Sequence, residues 1–110
     1  EPFMILGALG GSVIISAVLQ TILNIVDFGM SPMEAVSVPR IHSEGEFVHV
    51  EARVESSQIA VLESFGHKIK KSPYSFDPMM ARCHVILKDK KSWKAGADPR
   101  SGGGVAFARV

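Results

Sequence analysis

Apolar and polar positions along the chain divide it into short strands and helices. Phe3 to Leu6 reads as a short buried strand, ended by Gly7 and the Gly10-Gly11 pair. Ser12 follows as a helix N-cap, and the helix it opens runs to about Phe28, with Gly29 as its left-handed stop. On that helix Ser16, Gln20, Asn24 and Asp27 step by four, four and three. They form one narrow polar stripe on a helix otherwise read as buried on most of its circumference. A second helix carries clear punctuation in Ser31-Pro32-Met33-Glu34: a Ser cap, Pro at the first helical position, and Glu three residues after the cap. Pro39 ends it, because the residue before a proline is pushed out of the helical region.

Phe47 to Val54 alternates strictly. Val48, Val50, Ala52 and Val54 take one face, and Phe47, His49, Glu51 and Arg53 the other, the pattern of a half-buried strand. Ser56 or Ser57 caps a third helix carrying Ile59, Val61, Leu62 and Phe65 and closed by Gly66. His67 to Lys71 reads as a short strand and Ser72 to Pro78 as a loop. Ala81 to Lys88 is a strand turning through Asp89-Lys90-Lys91-Ser92 into Trp93-Lys94-Ala95-Gly96. Asp98 to Gly104 is a loop before a final strand at Val105 to Ala108. Loosely alternating helices and strands that close in a hairpin predict an α+β layered domain with a mostly antiparallel sheet.

Length bounds this at one domain: 110 residues hold a single core. Both ends run into apolar segments, so residues 1–110 are read as a single-domain fragment of something larger. No basic n-region precedes an apolar stretch, so no signal peptide is read. The long helix has roughly 16 mainly apolar residues with Gln20, Asn24 and Asp27 among them, short of the about 20 a membrane span requires. Twelve basic against eleven acidic residues leave a net charge of +1, which supplies no basic field for nucleic acid or an anionic membrane. One cysteine, Cys83, excludes an internal disulfide framework and any multi-cysteine metal site; it reads as a small buried residue.

Candidate chemistry is sparse. Gly7-Ala8-Leu9-Gly10-Gly11-Ser12, between a strand and a helix, is either a tight turn or a corner for an anion. Glycines let backbone N–H groups approach a ligand, and a helix N-terminus adds partial positive charge. The third glycine of a dinucleotide fingerprint is missing. His42, His49, His67 and His84 show no metal-ligand spacing, and no cofactor pattern is present. His49 and His84 read as surface or satisfied core residues, and His42 as a residue that structures the loop at a helix exit. Asp98 and Arg100 flank Pro99 as an ion pair or turn, while Lys68, Lys70 and Lys71 form a solvated face. No Ser/His/Asp or Cys/His arrangement follows from spacing.

Three segments, taken in order, resemble the gamma-glutamyltranspeptidase family of N-terminal-nucleophile hydrolases. GALGGSVIISAVLQTILNIVDFG, Gly7 to Gly29, is similar to the family's Gly-Ser-Pro-Gly-Gly-Ser loop and following long helix. EAVSVPRIH, Glu34 to His42, is similar to its Glu-Ala-x-x-x-Pro-Arg-x-His stretch, and ADPRSGGG, Ala97 to Gly104, to its Asp-Pro-Arg segment near the C-terminus. The resemblance implies a four-layer αββα sandwich made by self-cleavage of a precursor into large and small subunits, this chain being the C-terminal part of the small one. It implies a catalytic threonine upstream of Glu1, whose own α-amino group is the general base, attacking a γ-glutamyl amide such as that of glutathione. Gly10 and Gly11 then fall where the family's paired glycines offer N–H groups to the oxyanion. The implied partners are the rest of the small subunit, the large subunit and a small γ-glutamyl substrate. Family members are often periplasmic or extracellular, and some act on other amides, including cephalosporin side chains. Two departures stand out: Ala8-Leu9 replaces Ser-Pro, and Ser43-Glu44-Gly45-Glu46 differs from the usual continuation after the histidine. Read without the resemblance, the same residues describe a self-standing anion- or nucleotide-binding module on the Gly10-Gly11 corner. An inactive family member is a further alternative.

Overall fold

The computed structural model describes residues 3–109. It contains two three-stranded sheets, each backed by helix. In the first, β1 (Met4–Leu9) pairs antiparallel with β5 (Arg82–Asp89), which pairs antiparallel with β6 (Ser92–Gly96). In the second, β2 (Ile41–Ser43) runs antiparallel to β3 (Phe47–Val50), and β3 lies parallel to β4 (Lys68–Lys71). A parallel pair requires a crossover, and α3 (Ser56–Ser64) supplies it. With antiparallel pairing dominant, the expected α+β class holds.

Strand alternation sets the main core. Met4, Leu6 and Ala8 of β1 and Cys83, Val85 and Leu87 of β5 face α1 (Val13–Val26) and α2 (Pro32–Ser37), around buried Ala17, Ile25, Ala35 and Val36. Val48, Val50 and Val54 form a smaller cluster with Ile59, Leu62 and Ile69. Cys83 is the small buried residue expected, and burial pushes its thiol pKa up.

Local punctuation acts largely as anticipated. The Ser31 hydroxyl accepts from the Glu34 N–H at 3.2 Å, and Val38, before Pro39, leaves the helix with ψ 154°. Gly29 sits at φ 65°, and the Met30 N–H closes the end of α1 on the Asn24 carbonyl. Other expectations are corrected. Glu55, one residue earlier than expected, caps α3 in a reciprocal capping box with Gln58. Val105 to Ala108 forms no strand. Ser12 has helical torsions and makes no capping bond, because its hydroxyl is engaged by Glu44.

The long helix is also oriented differently from the expectation. Three members of its polar stripe are half-buried against the neighbouring segment while Asp27 is exposed: Ser16 bonds His42, Gln20 bonds both the N–H and the carbonyl of Ile41, and Asn24 donates to the Ala35 carbonyl. The stripe is thus the seam that holds the segment from α2 to β2. Ile15, 76 % exposed, and Leu19, Leu23, Val26 and Phe28 face outward. The predicted strand at Phe47 to Val54 stops at Val50, since Glu51 turns into the interior and a turn closes from the Val54 N–H to the Glu51 carbonyl.

Candidate functional site

Strand β1 delivers Gly10 and Gly11 to the start of α1 at φ 137° and 72°. Side chains are rare at such torsions, and at Gly10 a Cβ would meet the Ala81 Cα at 2.9 Å. At Gly11 a Cβ would meet nothing within 4 Å. The Gly11 carbonyl accepts from the Ile14 N–H at 3.1 Å, whereas among the described residues neither glycine N–H meets an acceptor of the chain. Two adjacent free donors at a helix start are what an anion or developing oxyanion requires.

The residue pressed against Gly10 is itself under strain. Ala81 lies at φ 66°, ψ 179°, a region that side chains avoid. It is held from beneath by Arg40, whose Nη1 donates to the carbonyls of Met80 and Ala81 at 3.2 and 3.3 Å and to Asp98 Oδ2 at 2.6 Å.

Arg40 belongs to a buried ionic quartet with Asp98, Arg100 and Glu51. Glu51, fully buried, takes a bidentate fork from Arg100, Nε to Oε1 and Nη2 to Oε2, both at 2.6 Å. It also accepts from the backbone N–H of Asp77 and of Arg40. Asp98 accepts from the Cys83 and Arg100 N–H groups and from both guanidinium groups. Burial alone would raise the Asp98 carboxyl pKa, but these four donors outweigh it and hold it below the ordinary value. Burial opposes the Arg100 charge too, and Glu51 and Asp98 more than restore it, so its pKa is raised. The Asp98–Arg100 ion pair expected from sequence is present at 3.1 Å. Glu51, read as one polar position on a strand, is the unexpected member.

Gly10 and Ser12 border a cleft of about 710 Å³, shared with His42, Glu44, His49, Lys70, Tyr74 and Met79 among others; Gly11 does not line it. Three of these side chains, Ser12, Glu44 and His42, join in series with Ser16 behind the wall. Ser12 Oγ donates to Glu44 Oε1, the same oxygen lies 2.9 Å from His42 Nε2, and His42 Nδ1 lies 2.7 Å from Ser16 Oγ. A carboxylate on Nε2 places the ring proton there, leaving Nδ1 to accept from Ser16 in the neutral ring. Hydrogen bonds from Ser12 and then His42 hold the Glu44 carboxyl below its ordinary pKa.

Sequence marked His42 as a loop organiser, which it is, but the partners lie 26 residues away in Ser16 and, for Ser12 and Glu44, 32 residues apart. His49 sits opposite His42 in the β2–β3 register and lines the cleft. His84 accepts from the Asp98 N–H at 3.2 Å. Lys68, Lys70 and Lys71 are exposed, as expected. Among the described residues no three His, Cys, Asp or Glu are grouped to hold a metal ion, and no helix is long and apolar enough to cross a membrane.

This architecture is shared with known proteins. The Glutathione hydrolase proenzyme 1 of Schizosaccharomyces pombe is 38 % identical over 85 residues, 74 % of this chain and 14 % of that protein. A Pseudomonas Acylase ACY 1 proenzyme is 34 % identical over 107 residues, 94 % of this chain and 19 % of its own length. The crystal structure of cephalosporin acylase from Bacillus halodurans superposes with a TM-score of 0.90 at 27 % identity, over 100 % of this chain and 21 % of that one. The chain therefore spans about one seventh to one fifth of these proteins' length. The family profile described as Gamma-glutamyltranspeptidase matches residues 1–108, so the three ordered motifs and the fold agree: the chain belongs to the gamma-glutamyltranspeptidase family.

Proposed function

We propose that the protein carrying this chain cleaves γ-glutamyl amides such as glutathione through an acyl-enzyme. Its nucleophile is a threonine outside this chain, exposed by self-cleavage of a precursor into two subunits. The threonine oxygen adds to the amide carbonyl, and negative charge gathers on the carbonyl oxygen. Collapse expels the amine and leaves an ester, which water or an acceptor amine then resolves. In this scheme the Gly10 and Gly11 N–H groups receive the oxyanion. The observation that carries the reading is this corner: two adjacent glycines at positive φ, with N–H groups free of protein acceptors, beside a cleft. The Gly10 N–H and Gly11 N–H can each act without a side chain, so only a backbone change tests them.

The test uses the full-length protein and a γ-glutamyl anilide. Self-cleavage should give a smaller fragment whose N-terminal residue is threonine. Gly11→Pro removes one donor and, because proline fixes φ at about −65° where Gly11 stands at 72°, also shifts the turn, so kcat should fall by at least about 10²–10³ with KM little changed. Gly11→Ala keeps the donor and should lose less, though a side chain at φ 72° costs about 1–2 kcal/mol of local conformational energy. A folded, self-cleaved Gly11→Pro enzyme with undiminished kcat refutes the assignment. A second reading, hydrolysis of a cephalosporin's acyl side chain, is favoured by the acylase relatives, which align over nearly the whole chain. Assaying both amides side by side separates the two by kcat/KM.

A further inference from the structure

The Gly10-Gly11 turn is braced unevenly. On one side Gly10 abuts Ala81, which Arg40 holds in place. On the other side, Gly11 has open space where a side chain would be, and Ser12 makes no capping bond to stiffen the first turn of α1. What ties that side down is the Ser12 hydroxyl donating to Glu44, which stands on the connection between β2 and β3. Glu44 is 61 % exposed, yet its carboxylate is not free to wander. It is anchored by His42 Nε2 at 2.9 Å, and the ring is anchored in turn by Ser16 on α1. The series starts at Ser12, the N-cap of α1, and ends at Ser16 within it, so it ties the first turn of α1, directly after the two glycines, to the β2–β3 connection.

We propose that Glu44 is a positioning residue for the Gly10-Gly11 corner: held by His42, it clasps Ser12 and fixes the turn that presents the amide donors. Preorganised donors are effective because nothing has to reorient as charge develops. A turn with positive φ at two successive residues has many alternative conformations, and a hydrogen bond to an ionised group is the stronger kind available to restrict it. Glu44 also falls in Ser43–Glu46, the stretch that departs from the family's usual continuation, so the clasp is a local solution of this chain. The catalytic part of the inference rests on the oxyanion reading above; the mechanical part does not.

The experiment follows both parts in the full-length protein. Glu44→Ala, Ser12→Ala and the double variant are compared with wild type for kcat, KM and amide hydrogen exchange in the peptide spanning 11–16. Each single variant should lower kcat about fivefold at nearly constant KM, and exchange at Ile14, whose N–H bonds the Gly11 carbonyl, should quicken by about the same factor, as for loss of one solvent-exposed hydrogen bond. The double variant should be no worse than either single one, because both remove the same clasp. Glu44→Gln, which keeps an acceptor oxygen, should restore most of both readouts. Wild-type exchange and kcat in Glu44→Ala, or additive losses in the double variant, overturn the proposal. Loose exchange with kcat unchanged overturns its catalytic part. A wild-type protein that cleaves neither amide overturns the functional reading instead, while the exchange comparison still decides the clasp.

Discussion

Replacing Glu51 by Gln preserves shape but removes one charge from the buried quartet. Both Glu51 oxygens each accept two N–H groups, from Arg100, Asp77 and the Arg40 backbone. A glutamine has one oxygen and one NH₂ group, so on one side two donors would face another donor. Arg100, only 6 % exposed, would be left with Asp98 as its sole ionic partner, and Asp98 is already shared with Arg40. Breaking a buried ion pair from one side costs about 3–5 kcal/mol. Against a typical domain stability of about 5–15 kcal/mol, that is a fifth or more of the total. Urea unfolding of the purified full-length protein, followed by circular dichroism, should show the midpoint falling without a change in slope. Glu46→Gln is the control, since its pair with Lys68 spans 3.9 Å in solvent and should contribute less than about 1 kcal/mol. Removing both members of the Glu51–Arg100 pair in favour of apolar residues should recover part of the loss, because no unpaired charge remains. A loss below about 1 kcal/mol for Glu51→Gln, or one equal to that of Glu46→Gln, would refute the quartet's role as a desolvated cluster of paired charges.

Ala81→Gly should leave stability within about 0.5 kcal/mol of wild type in the same assay, because relief of about 1–3 kcal/mol of backbone strain offsets the lost methyl burial and the extra chain entropy. Ala35→Gly, equally buried but in relaxed α2, should cost about 2 kcal/mol, and equal losses at both sites would remove the strain argument. Acid should weaken the fold through Asp98. Its folded pKa is lowered, so its contribution is present above the ordinary value of 3.8 and disappears as pH falls from there through the folded value. An unfolding midpoint measured against pH should bend downward there in wild type and less so in Asp98→Asn. Finally, the isolated 110-residue chain should self-associate through exposed Ile15, Leu19, Leu23, Val26 and Phe28, and should show no γ-glutamyl turnover; a compact monomer at high concentration that binds no apolar dye would contradict the first expectation.

What could be read from the chain alone is whatever a residue settles with neighbours three or four positions away. Ser31, Pro32 and Glu34 close a cap among themselves, Gly29 and Gly66 adopt positive φ where their helices end, and alternation along Met4–Leu9 and Arg82–Asp89 selects the core face. The ordered motifs carry the family in the same way, through short runs of identity. Tertiary structure decided everything whose partner is distant. Glu51 looked like a solvent-facing strand position because its alternation is local, while Arg100, 49 residues on, draws it into the interior. Ser12 looked like a helix cap because caps are local, while Glu44, 32 residues on, takes its hydroxyl. The polar stripe of α1 looked like one narrow line on a helix buried over most of its circumference. Bonds from Ser16, Gln20 and Asn24 to His42, Ile41 and Ala35, partners 11 to 26 residues away, set that side against β2 and α2 and left Ile15, Leu19 and Leu23 out, a choice that no neighbour within a helical turn reveals.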